Sequence, residues 1–192
     1  KIVIARNVIP HVSEILEVIK GINILLEDDG YGIIEFHNAK TIIEELHYDS
    51  IYHEHLFYFS IKSITFLLNS FDLIPFDISF SPISGGSCVL FFSKKKKLKT
   101  SKLEKAIYDE DNAKINKLST WKEFARKTLI HKQKTLNFLN DFKNKKIVGF
   151  GSSARSQTYL NFCGITNKDI IAIIDNNALK HNLFTPGASI PI

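Results

Sequence analysis

The sequence predicts an α/β protein built of two successive α/β units, the second of them Rossmann-like, and three observations carry that expectation. Short apolar runs such as Ile2-Val3-Ile4-Ala5 alternate with segments whose apolar residues recur at helical spacing. Two later runs, Leu73–Ser81 and Ser87–Ser93, are joined only by Pro82–Gly86, as an antiparallel pair requires. Near the end, a strand-like run meets Gly149-Phe150-Gly151-Ser152-Ser153-Ala154 and then a helical pattern, which opens a second βαβ-type unit.

In chain order, Lys1–Ala5 reads as a short strand of the kind buried on both faces. Ser13–Leu26 follows as a helix, with Ile15, Leu16, Val18, Ile19, Ile22 and Leu25 at the spacing of one face. Glu27-Asp28-Asp29-Gly30 makes a turn into the next strand, Tyr31–Phe36. Ser60 is placed to cap a helix over residues 61–70, with Ile64, Leu67 and Leu68 inward. Residues 94–118 are lysine-rich and polar apart from a helical patch at Leu103–Glu110, and read as a linker. Thr120–Lys143 reads as a long helix with Trp121, Phe124, Ala125, Leu129, Leu136 and Leu139 along one side. Lys146–Phe150, Arg155–Cys163 and Asp169–Asp175 then give strand, helix and strand.

Composition narrows the function classes. The chain has 192 residues and a formal charge of +5, part of it in Lys94–Lys97 and Lys99, which read as a solvated turn. Basic residues are not interleaved with stacking aromatics, so no nucleic-acid partner is expected. Cys88 and Cys163 lie far apart with no Cys-x-x-Cys spacing, which argues against a disulfide framework and fits a reducing, cytoplasmic setting. No apolar run reaches membrane-spanning length and no signal peptide is visible. The chain starts inside an apolar strand and contains no methionine, so it reads as a piece of a longer protein.

Tyr52-His53-Glu54-His55 concentrates a phenol, two imidazoles and a carboxylate, groups able to move protons near neutral pH. Two other readings of the block stand beside that one. It can be a satisfied polar cluster over an aromatic core, or, with His11, a metal site of nitrogen and oxygen ligands. His53 and His55 share a face only on a strand, which the following residues do not clearly support.

The ordered set Asn7-Val8-Ile9-Pro10-His11-Val12, Asp28-Asp29-Gly30, Ile33-Ile34-Glu35, Tyr52-His53-Glu54-His55, Ser84-Gly85-Gly86-Ser87, Gly149–Ala154, Leu160–Ile165 and Pro186–Ile192 resembles the nucleotide-sugar C-methyltransferases. Members of that family use S-adenosyl-L-methionine to methylate a ring carbon of a nucleoside-diphosphate-linked deoxy-ketosugar. The resemblance implies the C-terminal half of a class I methyltransferase sheet in residues 1–93. It implies a linker and helices in 94–144, and the start of a C-terminal Rossmann-like substrate-binding domain in 145–192. It also implies that zinc and the glycine-rich cofactor loop belong to an N-terminal part absent from this chain. By the same resemblance, Tyr52, Glu54, His55 and His11 are active-site residues; it gives His53 less support, and that residue reads as structural or as lying behind the site. Gly149, Gly151, Ser152, Ser153 and Asn161 belong to the part that helps hold the nucleotide.

Two departures from the family pattern stand out. Cys88-Val89-Leu90 lacks the arginine usual soon after the Gly-Gly-Ser, and Arg155-Ser156-Gln157-Thr158 replaces a lysine-glycine-asparagine-threonine run.

Methylation at carbon needs a base on a C–H beside a ketone and donors facing the oxygen that gains charge. His55 is the expected base and Tyr52 the expected donor. Glu54 is expected to orient an imidazole or bind a substrate hydroxyl or amine, and His11 to be a second proton-handling group. Asn7, at the end of the first strand, is expected either at the cofactor edge or as a simple turn residue. None of these steps requires a metal. Two alternatives are a nucleotide-sugar binding module without transfer, and an NAD-dependent oxidoreductase using the late glycine turn.

Overall fold

The computed structural model describes residues 1–192, with Ser84 described by its backbone alone. Among the described residues, six strands and six α-helices follow one another: β1 (Ile2–Arg6), α1 (Ile15–Leu25), β2 (Tyr31–His37), α2 (Ala39–Glu44), α3 (Ile61–Asn69), β3 (Ile74–Ser81), β4 (Ser87–Ser93), α4 (Ser101–Asn112), α5 (Leu118–Asp141), β5 (Val148–Phe150), α6 (Ala154–Cys163) and β6 (Ala172–Ile174). The chain divides into two compact units. One is Lys1–Glu45 with His53–Trp121, and the other is Leu46–Tyr52 with Lys122–Ile192.

The first unit is a four-stranded mixed sheet in the order β1-β2-β4-β3. β1 and β2 are parallel, and β4 runs antiparallel to both of its neighbours. The C-terminal ends of β1, β2 and β3 therefore share one edge of the sheet, the edge where open α/β sheets gather ligands. Ile34, Phe36, Ile78, Leu90 and Phe92 from the strands pack with Ile19 of α1, Ile64 and Leu68 of α3, and Leu103 of α4 in one buried cluster. The order of elements is the Rossmann-like, methyltransferase-type arrangement expected from the sequence.

Three local details depart from that expectation. β1 is not buried on both faces: Val3 and Ala5 pack against the core, whereas Ile2 and Ile4 are about 60% exposed. The helical patch expected at Leu103–Glu110 is α4, two residues longer at each end and packed inward, with Leu103 fully buried and Glu110 2% exposed. The short helix α2, capped by Asn38, has no apolar period long enough to announce it.

α3 starts where the sequence puts it. Ser60 Oγ accepts from Ser63 N–H at 3.0 Å and Ser63 Oγ accepts from Ser60 N–H at 3.0 Å, a reciprocal capping box. The Glu110 carboxylate adds to this cap, accepting from Ile61 N–H at 2.9 Å and from Asn38 Nδ2 at 3.1 Å.

The second unit holds a parallel β5–β6 pair, with α6 as the crossover. Its core gathers Leu160, Cys163, Ile165, Ile170, Ile173 and Ile190, with Leu136 and Leu139 of α5 against it. β6 is shorter than the run Asp169–Asp175 suggests, because Asp169 accepts from Thr166 N–H at 2.9 Å in a turn ahead of the strand. The expected apolar side of α5 is only partly used: Phe124 is buried but Leu129 is 62% exposed. Among the described residues no helix is long and apolar enough to cross a membrane.

Candidate active site

At the C-terminal end of β1, Asn7 adopts φ 49°, the left-handed region that asparagine tolerates better than most residues, and its N–H donates to Glu35 O at 2.9 Å. This turns the chain out of the sheet into a short 3-10 turn, Ile9–His11, anchored by Ile9 at 1% exposure. The Pro10 carbonyl accepts from Leu56 N–H at 2.8 Å and from Phe57 N–H at 3.3 Å. Pro10, which has no N–H of its own, thus ties the residues that follow His55 to the end of β1. The result is a pair of imidazoles: the His11 and His55 rings lie 4.8 Å apart between centroids, edge to face at 70°. His11 is exposed and His55 half-buried, with the Tyr58 ring at 6.4 Å on its other side.

The remaining members of the block are placed differently. Glu54 is exposed, with Oε1 4.0 Å from Nε2 of the exposed His53. Tyr52 is half-buried and closes the segment Leu46–Tyr52 that groups with the second unit. Among the described residues, no three His, Cys, Asp or Glu side chains converge as ligands for a metal ion.

The same sheet edge holds a charged group not singled out as a site from the sequence. Glu35, at 2% exposure, accepts from Ser87 Oγ at 2.5 Å and from Arg6 Nε at 2.6 Å. The Ser87 hydroxyl and the Arg6 guanidinium hold its carboxyl below the usual carboxylate range. It lines a shallow cavity of about 330 Å³ with Arg6, Ile4 and Val89. An acid inside the apolar run Ile33-Ile34-Glu35-Phe36 was the available signal, since a strand buries a carboxylate only with partners.

In the second unit, Gly149, Gly151, Ser152 and Ser153 meet at the β5–α6 turn. Gly151 has φ +88°, and nothing lies within 4 Å of where a Cβ would sit, so this corner is open. Ser153 is exposed and caps α6 through a reciprocal pair with Ser156. Ser152 is engaged within the turn: its N–H donates to Asp175 Oδ2 at 2.7 Å, its carbonyl accepts from Lys180 Nζ at 2.6 Å, and its Oγ accepts from Gln157 Nε2 at 2.9 Å. Asn161 lies farther along α6, where its Nδ2 donates to Pro186 O at 3.0 Å. Gly187 is required beside it, because a Cβ there would overlap the Asn161 side chain. Two further histidines are engaged: His131 Nδ1 lies 3.0 Å from the Tyr48 hydroxyl, and His181 Nε2 lies 2.8 Å from Asp175 O.

Asp175 is the electrostatic centre of this turn. The N–H groups of Asn177 and Ser152, with the Lys180 ammonium, pull its carboxyl down to about 2 from an ordinary value of 3.8. A depressed native value stabilises the fold above the ordinary value and is lost as pH falls toward the native one. The second unit is therefore expected to loosen between about pH 4 and pH 2. Asp175→Asn is expected to flatten that acid transition, as followed by amide signals of Ser152 and Asn177; an unchanged transition would count against the assignment.

The mixed sheet with its helices and the second βαβ unit make an α/β protein of the Rossmann-like, methyltransferase type. A sequence profile of the C-methyltransferase C-terminal domain matches residues 82–192, and the chain belongs to that family. It is also similar to the C-methyltransferase NovU of Streptomyces niveus, at 26% identity over 197 aligned positions. That alignment takes in 100% of this chain and 47% of the relative, so the chain spans about half the length of the curated relative it matches.

Proposed function

We propose that this chain supplies the catalytic edge and part of the substrate-binding unit of an S-adenosyl-L-methionine-dependent C-methyltransferase acting on a nucleoside-diphosphate-linked ketosugar. The observation that carries this reading is the His11–His55 pair, tied to the end of β1 through Pro10. His55 removes the proton from the carbon beside the ketone, and its half-buried ring limits competition from bulk water. His11, edge-on to it, fixes the plane of that ring. The Tyr52 hydroxyl donates to the keto oxygen and to the enolate charge that develops there. Exposed Glu54, its Oε1 4.0 Å from His53 Nε2, meets a sugar hydroxyl or orients an imidazole.

S-adenosyl-L-methionine, when bound, supplies the electrophilic methyl group. Of the residues that could hold it, this chain offers Asn7, exposed at the end of β1. The first unit has no open glycine cradle at Gly30 or Gly32: a Cβ on Gly30 would meet the Lys1 carbonyl at 2.7 Å, and one on Gly32 the Phe92 ring at 2.1 Å. The fit is therefore to one rim of a cofactor site. The 192-residue chain alone is expected to show weak or no S-adenosyl-L-methionine binding in isothermal titration. Tight, stoichiometric binding would overturn this part of the reading.

For the nucleotide, the open corner at Gly151 and the exposed Ser153 are the favoured contacts, with Gly149, Ser152 and Asn161 shaping the turn around them. An NAD-dependent oxidoreductase would need the Ser152 N–H and Asp175 for its ligand, and these two groups bind each other. The domain limits proposed from the sequence, 1–93, 94–144 and 145–192, go with the family reading. The direct test is transfer of labelled methyl from S-adenosyl-L-methionine to a nucleoside-diphosphate ketosugar by the complete protein. Absence of transfer to any such sugar would argue for a binding module.

A further inference from the structure

We infer that Arg155 and Asp49 form a positioning clamp for the catalytic block, so that Arg155 acts on Tyr52 through the chain instead of on the nucleotide. The inference rests on the function proposed above. Arg155 lies in the first turn of α6, beside the turn to which the nucleotide is assigned, and an arginine there invites a phosphate-binding role. The geometry gives it another one. Its Nε donates to Asp49 Oδ2 at 2.8 Å and its Nη2 to Asp49 Oδ1 at 2.9 Å. This is the two-pronged pairing that a guanidinium makes and a lysine cannot. Both side chains are mostly shielded, at 30% and 26% exposure, so the pair is less screened than one in open solvent.

Asp49 sits at the centre of a short 3-10 turn, Tyr48–Ser50, and that turn is held a second time. Tyr48 is 7% exposed, its hydroxyl lies 3.0 Å from His131 Nδ1, and its ring packs 5.0 Å from the Phe162 ring. Entry to the turn is unfavourable: Leu46 takes φ +57°, a left-handed conformation costly for a branched side chain. Such a conformation persists only where the surroundings impose it, and it clusters at functional sites. Tyr52 stands three residues beyond Asp49, at the point where the chain passes from one unit to the other. Fixing the turn limits where the Tyr52 hydroxyl can travel, and a misplaced donor costs rate steeply.

Two measurements test this and separate it from the function proposal. In the 192-residue chain, the Ser50 and Ile51 amides are bonded to His47 O and Tyr48 O, each at 3.0 Å, so their hydrogen exchange reports on the turn. Arg155→Ala and Asp49→Asn are each expected to speed that exchange about tenfold or more, with Arg155→Lys intermediate and the Leu68 and Leu90 amides unaffected. Unchanged exchange overturns the clamp whether or not the protein methylates sugars.

In the complete protein, both variants are expected to lower kcat by about 10- to 100-fold, with KM for the nucleotide sugar within about twofold. The double exchange Asp49→Arg with Arg155→Asp is expected to recover part of the loss. A raised KM with unchanged kcat in Arg155→Ala alone would make Arg155 a nucleotide contact and overturn the proposal. A wild-type protein without transfer activity would refute the functional reading and leave the exchange result to decide the clamp.

Discussion

Replacing His55 by alanine is expected to abolish hydrogen exchange at the target carbon of the ketosugar, a step observable in deuterated water without any methyl transfer. General-base catalysis by a positioned imidazole contributes about 10²- to 10⁴-fold, and the loss should fall in that range. The expectation comes from position as much as from residue type. The ring is half-buried, held by the Leu56 and Phe57 N–H bonds to Pro10 O, and flanked by His11 at 4.8 Å. His53, two residues earlier, has its side chain 88% exposed, and His53→Ala should leave exchange within about twofold of wild type. His11→Ala should slow it by about tenfold, the cost of a loosened ring whose base is still present. Undiminished exchange in His55→Ala would remove the central element of the mechanism.

What the sequence made visible follows from the range of the interactions involved. The Ser60 cap and the Ile64 and Leu68 face of α3 were readable because cap and period are local, set within four residues of one another. The antiparallel β3–β4 pair was readable for the same reason, its connection being only a few residues long. The Tyr-His-Glu-His block stood out by composition. His11 was expected at the same site from its motif, but its ring contact with His55 across more than forty positions, and the Pro10 bonds beside it, needed the folded chain.

The misses are the converse. Glu110 ends the helical patch Leu103–Glu110 of a lysine-rich, polar stretch, and only its meeting with Asn38 and the start of α3 makes it a buried cap. Ile2 and Ile4 read as core residues because an apolar strand carries no record of which face is covered. Leu129 was assigned inward on spacing alone, whereas the packed side of α5 follows Phe124 and Thr128. Arg155 was noted as a departure from the family pattern, but its partner Asp49 is 106 residues away.

The same hidden group sets the largest expected stability effect. Glu110→Ala removes at once the acceptor for Ile61 N–H, Lys62 N–H and Asn38 Nδ2. Each buried donor left without a partner costs about 1–3 kcal/mol, and water entering the vacated space recovers part of that. A net loss of about 3 kcal/mol in urea unfolding of the first unit is expected. Glu110→Gln should cost less, about 1–2 kcal/mol, because one oxygen still accepts while the amide N–H₂ faces donors.

The two variants also separate burial from hydrogen bonding through pH. Burial raises the Glu110 carboxyl above its ordinary value of 4.5 and outweighs the lowering by the Ile61, Asn38 and Lys62 donors. A raised acid binds its proton more tightly in the native state than in the unfolded one, so its ionisation opposes folding. Wild-type stability relative to Glu110→Gln should therefore be greatest below pH 4.5 and decline as pH rises through the native value. If instead the wild-type advantage grew with rising pH, the donors would dominate over burial, and the carboxylate would have to be ionised in the folded protein as the true cap of α3.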